Sequence, residues 1–116
     1  MPEIRLITTR LTKAALQEIA NERFGDMVKG VVDIEQGTLA LGAELHADIE
    51  AFLLDKGSVQ ANLWGINLYP AVAFPDMVEF DSMINIRPSQ GNKSRSVENI
   101  DTQKKILEVV KKYLAL

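Results

Sequence analysis

The sequence contains no cysteine and only one histidine, His46. The absence of cysteine excludes disulfides, thiolate metal sites, iron–sulfur clusters and cysteine nucleophiles. It is also compatible with a reducing cytoplasm, which is where we expect the protein to be located. Because no G-x-S-x-G motif accompanies the single histidine, a serine hydrolase of the Ser–His type is disfavoured as well.

Long apolar runs and an excess of basic residues are also missing. No segment approaches the roughly 20 apolar residues of a membrane-spanning helix, and the N-terminal residues do not form a signal-peptide pattern. The formal net charge is -3, from 13 basic and 16 acidic residues, whereas nucleic-acid-binding domains usually carry a basic surface. We therefore expect a soluble protein that neither spans a membrane nor binds nucleic acid.

The composition that remains is typical of a globular domain. Apolar residues make up 47% of the chain and charged residues 25%, so disorder is not expected. A chain of 116 residues is long enough to bury one hydrophobic core without disulfides or structural metals. We predict a single α+β domain over residues 1–116.

The spacing of the apolar residues predicts strands and helices. Strands are predicted over residues 3–8, 27–35, 39–41, 63–68 and 77–87, and helices over residues 11–24 and from Asn99 or Asp101 onward. Gln36 and Gly37 form a turn signal, which joins the second and third strands into a hairpin.

Residues 43–56 fit two patterns. Leu45, Ala47 and Ile49 alternate as in a strand, whereas Leu45, Ile49 and Phe52 have helical spacing. Ala, Leu and Glu favour helices and β-branched residues are scarce, so we predict a helix, with a second hairpin as the alternative. The resulting order predicts a two-layer α+β fold with a mostly antiparallel sheet packed against two or three helices.

Three segments together resemble a known family. They are ELHADIE at residues 44–50, GSVQANLWGINLYP at residues 57–70 and INIRPSQGNKS at residues 84–94. Over about residues 27–114 the chain is similar to a family of small prokaryotic proteins catalogued only as a domain of unknown function. The resemblance implies a single small domain without an established activity, and it assigns no catalytic residues and no cofactor.

Glu44, His46 and Asp48 are candidates for a metal site, because carboxylates and imidazole serve as metal ligands and as acid–base groups. On a strand, all three would face the same side. On the predicted helix, Glu44 and Asp48 share a face that His46 does not. We therefore favour no metal site and interpret these residues as the start of a helix.

A second candidate is the polar segment from Arg87 to Ser96. Arg87, Lys93 and Arg95 are donors for carboxylate or phosphate, and Gly91 allows backbone amides to approach an anion. The segment is not a P-loop. A solvated surface loop is the competing interpretation.

A third candidate is one face of the predicted sheet. Its amides, charged groups and aromatic side chains suit a polar small-molecule pocket, and we expect the polar segment to adjoin it. The predicted ligand-binding residues are Trp64, Asn67, Tyr69, Asn85, Arg87, Asn92 and Lys93.

These candidates lead to three hypotheses about function. The first is a binding module for a small polar or anionic ligand or a partner segment. The second is a small, metal-assisted hydrolase that uses His46 with Glu44 and Asp48. The third is a non-catalytic assembly subunit, such as a homo-oligomer, in which an edge strand at Ile4–Thr8 or Leu39–Leu41 pairs with another chain. The sequence leaves open whether the protein is an enzyme.

Overall fold

The structure is a computed structural model and describes residues 4–115. Within these residues, five strands form one antiparallel sheet in the order β1-β4-β3-β5-β6. They are β1 (Arg5–Leu6), β3 (Val28–Asp33), β4 (Thr38–Leu41), β5 (Leu63–Leu68) and β6 (Val78–Glu79). A short parallel pair joins β2 (Leu11–Thr12) to β7 (Leu114–Ala115). The helices are α1 (Lys13–Asn21), α2 (His46–Asp55) and α3 (Ile100–Tyr113).

Two of the helices begin at a residue whose polar side chain accepts a hydrogen bond from a backbone N–H group of the first turn. Thr12 Oγ1 accepts from the N–H of Ala15 at 3.0 Å in α1, and Asn99 Oδ1 accepts from the N–H of Thr102 at 3.0 Å in α3. Asn99 is therefore the N-cap of the last helix. It is one of the two residues that the sequence predicted for the start of this helix. None of the helices within residues 4–115 has the length and hydropathy needed to cross a bilayer.

Helices cover both faces of the sheet. On the first face, Val32 and Ile66 belong to a core cluster that also contains residues of α1 and α3. On the second face, Val31 and Leu63 pack with Ile49 of α2. The predicted α+β class, with a mostly antiparallel sheet and helices, is confirmed. Because helices lie on both faces, the central strands β3 and β5 are largely buried on both sides, and the sheet is the middle of three layers rather than one of two.

The predicted hairpin, the strand at 63–68 and the helix within residues 43–56 are confirmed. The first strand is shorter than predicted, and residue 3 lies outside the described residues. The predicted edge at Leu39–Leu41 is wrong, because β4 pairs with β1 on one side and with β3 on the other. Strand β1 does lie at an edge of the sheet.

The long strand predicted over residues 77–87 is also wrong. Only Val78–Glu79 pair as a strand, and two 3-10 helices follow at Met83–Asn85 and Pro88–Gln90. The hydroxyl of Ser82 accepts from the N–H of Ile84 at 3.2 Å and so starts the first of these turns. Pro88 then fixes the backbone at the start of the second.

Candidate functional site

Strand β5 lacks a neighbouring strand along part of its length. Within the described chain, β6 pairs only with Asn67 and Leu68, so Leu63–Ile66 have no strand beside them on that side. The side chain of Asn85 takes the place of a strand there. Its Oδ1 accepts from the N–H of Gly65 at 2.8 Å, and its Nδ2 donates to the carbonyl of Gly65 at 2.9 Å. Asn85 is fully buried, so its amide satisfies backbone groups that water does not reach.

The side chain of Arg87 also binds the part of β5 that has no neighbouring strand. Its guanidinium donates to the carbonyl of Leu63 and, at 3.1 Å, to that of Ile84. It also lies 3.6 Å from a carboxylate oxygen of Glu50 in α2 and stacks on the Trp64 ring, 4.7 Å from its centre. Arg87 is 8% exposed and Trp64 is 5% exposed. Both residues, which the sequence predicts as ligand contacts, are therefore engaged within the protein.

The side chain of Asn92 stabilises the polar segment that follows Arg87 by hydrogen bonds to the backbone. Its Nδ2 lies 2.7 Å from the carbonyl oxygens of Asn85 and Ser96, and its Oδ1 accepts from the N–H of Glu98 at 2.8 Å. The carboxylate of Glu98 accepts from the N–H groups of Lys93 and Ser94 at 3.0 and 2.8 Å. The backbone amides that were expected to approach an anion are therefore already bound by a carboxylate of the protein. The Lys93 side chain is exposed.

The close approach of Ser82 and His46 to β5 depends on Gly65. A Cβ at this position would lie 2.6 Å from Ser82 Cβ, 2.7 Å from Ser82 Oγ and 3.1 Å from His46 Cδ2. The absence of a side chain on Gly65 thus lets both residues pack against the second face of the sheet.

We expect Gly65→Ala to lower the free energy of unfolding by about 1–3 kcal/mol, because the new methyl group overpacks this contact. Urea unfolding measures the change. Ser82→Gly removes two of the atoms that the methyl would meet, so Gly65→Ala should cost less in that background than in the wild type. Equal costs in both backgrounds would show that the Ser82 contact is not the cause.

A cavity of about 180 Å³ opens on the second face, beside the N-terminal end of α2. We call it the His46 cavity. Its polar lining consists of Lys29, His46, Asn67, Asp81, Ser82 and Arg95. This volume is smaller than that of most pockets for drug-sized ligands.

The sheet register brings two of the lining residues together. Lys29 of β3 lies directly opposite Asn67 of β5, and both side chains belong to the second face. The remaining polar residues come from α2 and from the segment that follows β6. The cavity therefore forms where two strands, a helix start and an irregular segment meet.

Asn67 lies beside this cavity, with its amide oxygen buried in the protein. Its Nδ2 donates to Glu79 Oε1 at 2.8 Å and to the carbonyl of Asp81 at 3.3 Å, and since both neighbours are acceptors the orientation of the amide is fixed. Oδ1 is therefore directed away from them, and it is buried without a hydrogen bond of ordinary geometry in the described part of the chain, although the side chain of Asn67 lies close enough to His46 to raise the pKa of that residue. Asn67 is 6% exposed. A buried acceptor without a partner is costly, and such groups are rare in folded proteins.

His46 is neutral and also offers an acceptor. Burial lowers the pKa of His46 below its ordinary value of 6.5, the carbonyl of Ile66 raises it, and the positive charge of Lys29 lowers it. Nε2 lies 2.8 Å from the carbonyl oxygen of Ile66. A carbonyl cannot donate, so Nε2 carries the proton, and Nδ1 of the neutral ring keeps its lone pair.

Charged and apolar groups complete the lining. Arg95 Nε donates to Asp81 Oδ1 at 2.7 Å, and both of these side chains are exposed at the rim. Lys29 supplies a second positive charge from the sheet. Leu45 and Met83 also line the cavity and are 57% and 65% exposed, so apolar surface lies beside the polar groups.

Tyr69 lies beside the same strand without lining the cavity. Its hydroxyl donates to Glu79 Oε1 at 2.9 Å, the oxygen that also accepts from Asn67. Burial raises the pKa of Tyr69 to about 12, and the hydrogen bond to Glu79 acts in the same direction. Tyr69 thus contributes to the site by holding the carboxylate that orients Asn67.

The three metal-site candidates are not brought together. His46 is buried, whereas Glu44 is exposed and pairs with Arg23 at 2.9 Å, and Asp48 is exposed on α2. Within residues 4–115 no group of three His, Asp or Glu side chains could hold a metal ion. The carboxylates of the hydrolase hypothesis therefore do not converge on His46.

Sequence reasoning predicted Asn67 as a ligand-binding residue and singled out His46 as a metal-site candidate, but it did not place them in one site. It missed Lys29, Asp81 and Ser82 as lining residues and considered Arg95 only as part of an anion-binding loop. The alternation along β3 and β5 places Lys29 and Asn67 on a face, but their alignment depends on a strand pairing that the sequence does not display.

A comparison with protein families finds a match over most of the chain. Residues 5–113 match the model described as "Protein of unknown function (DUF5674)". Searches of curated proteins and of solved structures find no match to the chain.

Proposed function

Because the chain belongs to the family of proteins of unknown function DUF5674, we propose a function from its own geometry: it is a binding module that holds a small polar molecule in the His46 cavity. The observation that carries the proposal is the lining of this cavity, where the polar residues Lys29, His46 and Asn67 from two strands and a helix start meet beside apolar surface.

The size and lining of the cavity support the same function. A cavity of about 180 Å³ suits a small metabolite better than a drug-sized molecule. The lining offers polar groups at Asn67 and His46 and positive charges at Lys29 and Arg95. Small-molecule sites commonly combine a few such polar groups with apolar walls, and Leu45 and Met83 provide apolar surface here.

The proposal divides the predicted ligand-binding residues into two groups. Asn67 contacts the ligand, and Tyr69 supports it through Glu79. Asn85, Arg87 and Asn92 act indirectly, because they hold β5 and the segment that carries Ser82 and Arg95. Trp64 packs under Arg87 in the core.

A thermal-shift screen of small polar metabolites tests the proposal. A ligand present at 100 times its Kd stabilises the folded protein by about 2.7 kcal/mol, which raises Tm by several degrees. Ala47 lines the cavity and is exposed, so Ala47→Phe should block the cavity without removing a polar group. We expect molecules that raise the Tm of the wild type to leave that of Ala47→Phe unchanged.

Ala51→Phe is the matched control, because Ala51 is also exposed on α2 but does not line the cavity. It should respond to ligands as the wild type does. The proposal is wrong if no polar molecule stabilises the wild type, or if Ala47→Phe retains the same affinity as Ala51→Phe.

A further inference from the structure

We infer that His46 is a pH-sensitive switch: when its ring takes up a proton, the first turn of α2 unwinds from β5 and the wall of the His46 cavity opens. This switch operates without a bound ligand and so goes beyond the proposed function. Three features support it, namely the position of His46, the charges around its ring and the way in which α2 begins.

His46 holds the start of α2 on the sheet. It is the first residue of the helix, it is buried, and its Nε2 donates to the carbonyl of Ile66 in β5 at 2.8 Å. The N-cap residue Leu45 is exposed and makes no side-chain hydrogen bond to the first turn. Further along the helix, Ile49 and Leu53 are buried against the second face of the sheet. Since helix ends open more readily than turns with core contacts, the first turn can unwind while the rest of α2 stays in place.

The surroundings of His46 disfavour a positive charge on its ring. Burial lowers the pKa of His46 below its ordinary value of 6.5, and the ammonium of Lys29 on β3 lowers it further. The start of α2 adds the positive end of a helix dipole. The carbonyl of Ile66 acts in the opposite direction but does not reverse the shift.

The negative groups around His46 are engaged elsewhere or lie in solvent. Asp81 and the side chain of Asn67 raise the pKa of His46, but the carboxylate of Asp81 already accepts from Arg95 at 2.7 Å. The nearest carboxylates along the chain are paired with arginine or exposed: Glu44 with Arg23, Glu50 with Arg87, and Asp48 in solvent. A second proton on the ring is therefore costly while the ring stays buried.

Unwinding of the first turn removes this cost, because the ring then reaches water and its pKa returns to about 6.5. The closed state thus binds the proton more weakly than the open state. Its advantage over the open state is fully present above about pH 6.5 and is lost as the pH falls toward the lower pKa of the closed state. The turn carries Leu45, His46 and Ala47, three residues of the lining, so the complete cavity exists only in the closed state.

Nuclear magnetic resonance tests the switch on the full chain, because the single histidine gives one imidazole signal to follow. We expect this signal to titrate with a midpoint below 6.5. Amide hydrogen exchange reports the unwinding, since the N–H of Glu50 is placed to donate to the carbonyl of His46 within α2. The protection factor of Glu50 should fall by about two- to tenfold between about pH 7.5 and about pH 5.5.

Lys104 and His46→Gln provide the controls. Lys104 occupies the matching position in α3, which begins at Ile100, is capped by Asn99 and contains no histidine. Its protection factor should change by less than about twofold over the same pH range. His46→Gln keeps an N–H donor for the carbonyl of Ile66 but cannot take up a proton, so the protection of Glu50 in this variant should not depend on pH.

A titration midpoint at or above 6.5 would overturn the inference. Unchanged protection of Glu50 in acid would do the same, because the proton would then be accommodated in the closed state. Equal losses at Glu50 and Lys104 would indicate global destabilisation and would also overturn it, as would the same loss in His46→Gln. If that variant does not fold, the titration and the comparison of the two amides in the wild type decide. None of these results depends on a ligand, so they leave the proposed function to its own test.

Discussion

Asn85→Leu is expected to lower the free energy of unfolding by about 3–6 kcal/mol, the largest effect of any single substitution that we consider. Leucine is similar in size but cannot replace the amide. The N–H and carbonyl of Gly65 would lose their partner in a site without solvent access, and the carbonyl of Arg95 would keep only the N–H of Ser82. Each buried polar group left unpaired costs about 1–3 kcal/mol.

Urea unfolding of the wild type and the variant measures this loss. Asn21→Leu is the control, because Asn21 is exposed and its Oδ1 accepts only from Gln17, and it should change stability by less than about 0.5 kcal/mol. A loss below about 1 kcal/mol in Asn85→Leu would show that the amide does not hold β5.

Arg87→Met is expected to lower the free energy of unfolding by about 3–5 kcal/mol, as is usual when one partner of a buried ion pair is removed. The buried Oε2 of Glu50 would lose the guanidinium beside it, and the carbonyl of Leu63 would lose a charged donor. The Trp64 ring would also lose its stacked guanidinium. Urea unfolding monitored by Trp64, the only tryptophan, provides the measurement.

The double variant Arg87→Met/Glu50→Gln separates the ion pair from the other contacts. If the buried charge of Glu50 causes much of the loss, adding Glu50→Gln should recover part of the stability that Arg87→Met removes. Purely additive effects would show that the pair contributes nothing. The sequence predicted Arg87 as a ligand contact, whereas its position in the structure makes it a structural residue first.

Local patterns predicted much of the fold. The hairpin of β3 and β4 follows from two apolar runs around Gln36 and Gly37, and α2 follows from the Ala, Leu and Glu content of its segment. The prediction of a strand over residues 77–87 is wrong because the apolar spacing of Met83, Ile84 and Ile86 is also compatible with turns. Side-chain hydrogen bonds and Pro88 decide the conformation there.

The candidate site could be predicted only in fragments. Asn67 was identified because an amide between apolar strand residues suggests a role, and His46 because it is the single histidine. The position of these residues in one site depends on strand pairings between distant parts of the chain, such as that of Lys29 with Asn67. Asn85 illustrates the same limit, since a buried amide that replaces a strand and one that contacts a ligand have the same appearance in a sequence.

The walls of the His46 cavity also determine when this cavity can first form during synthesis. They extend from Lys29 in β3 to Arg95, close to the start of α3. A nascent or truncated chain that stops before residue 95 lacks part of the lining, even if the hairpin and α2 have already formed. Since a ligand stabilises only the state that binds it, it can protect the finished domain from proteolysis but gives no such protection to an incomplete one.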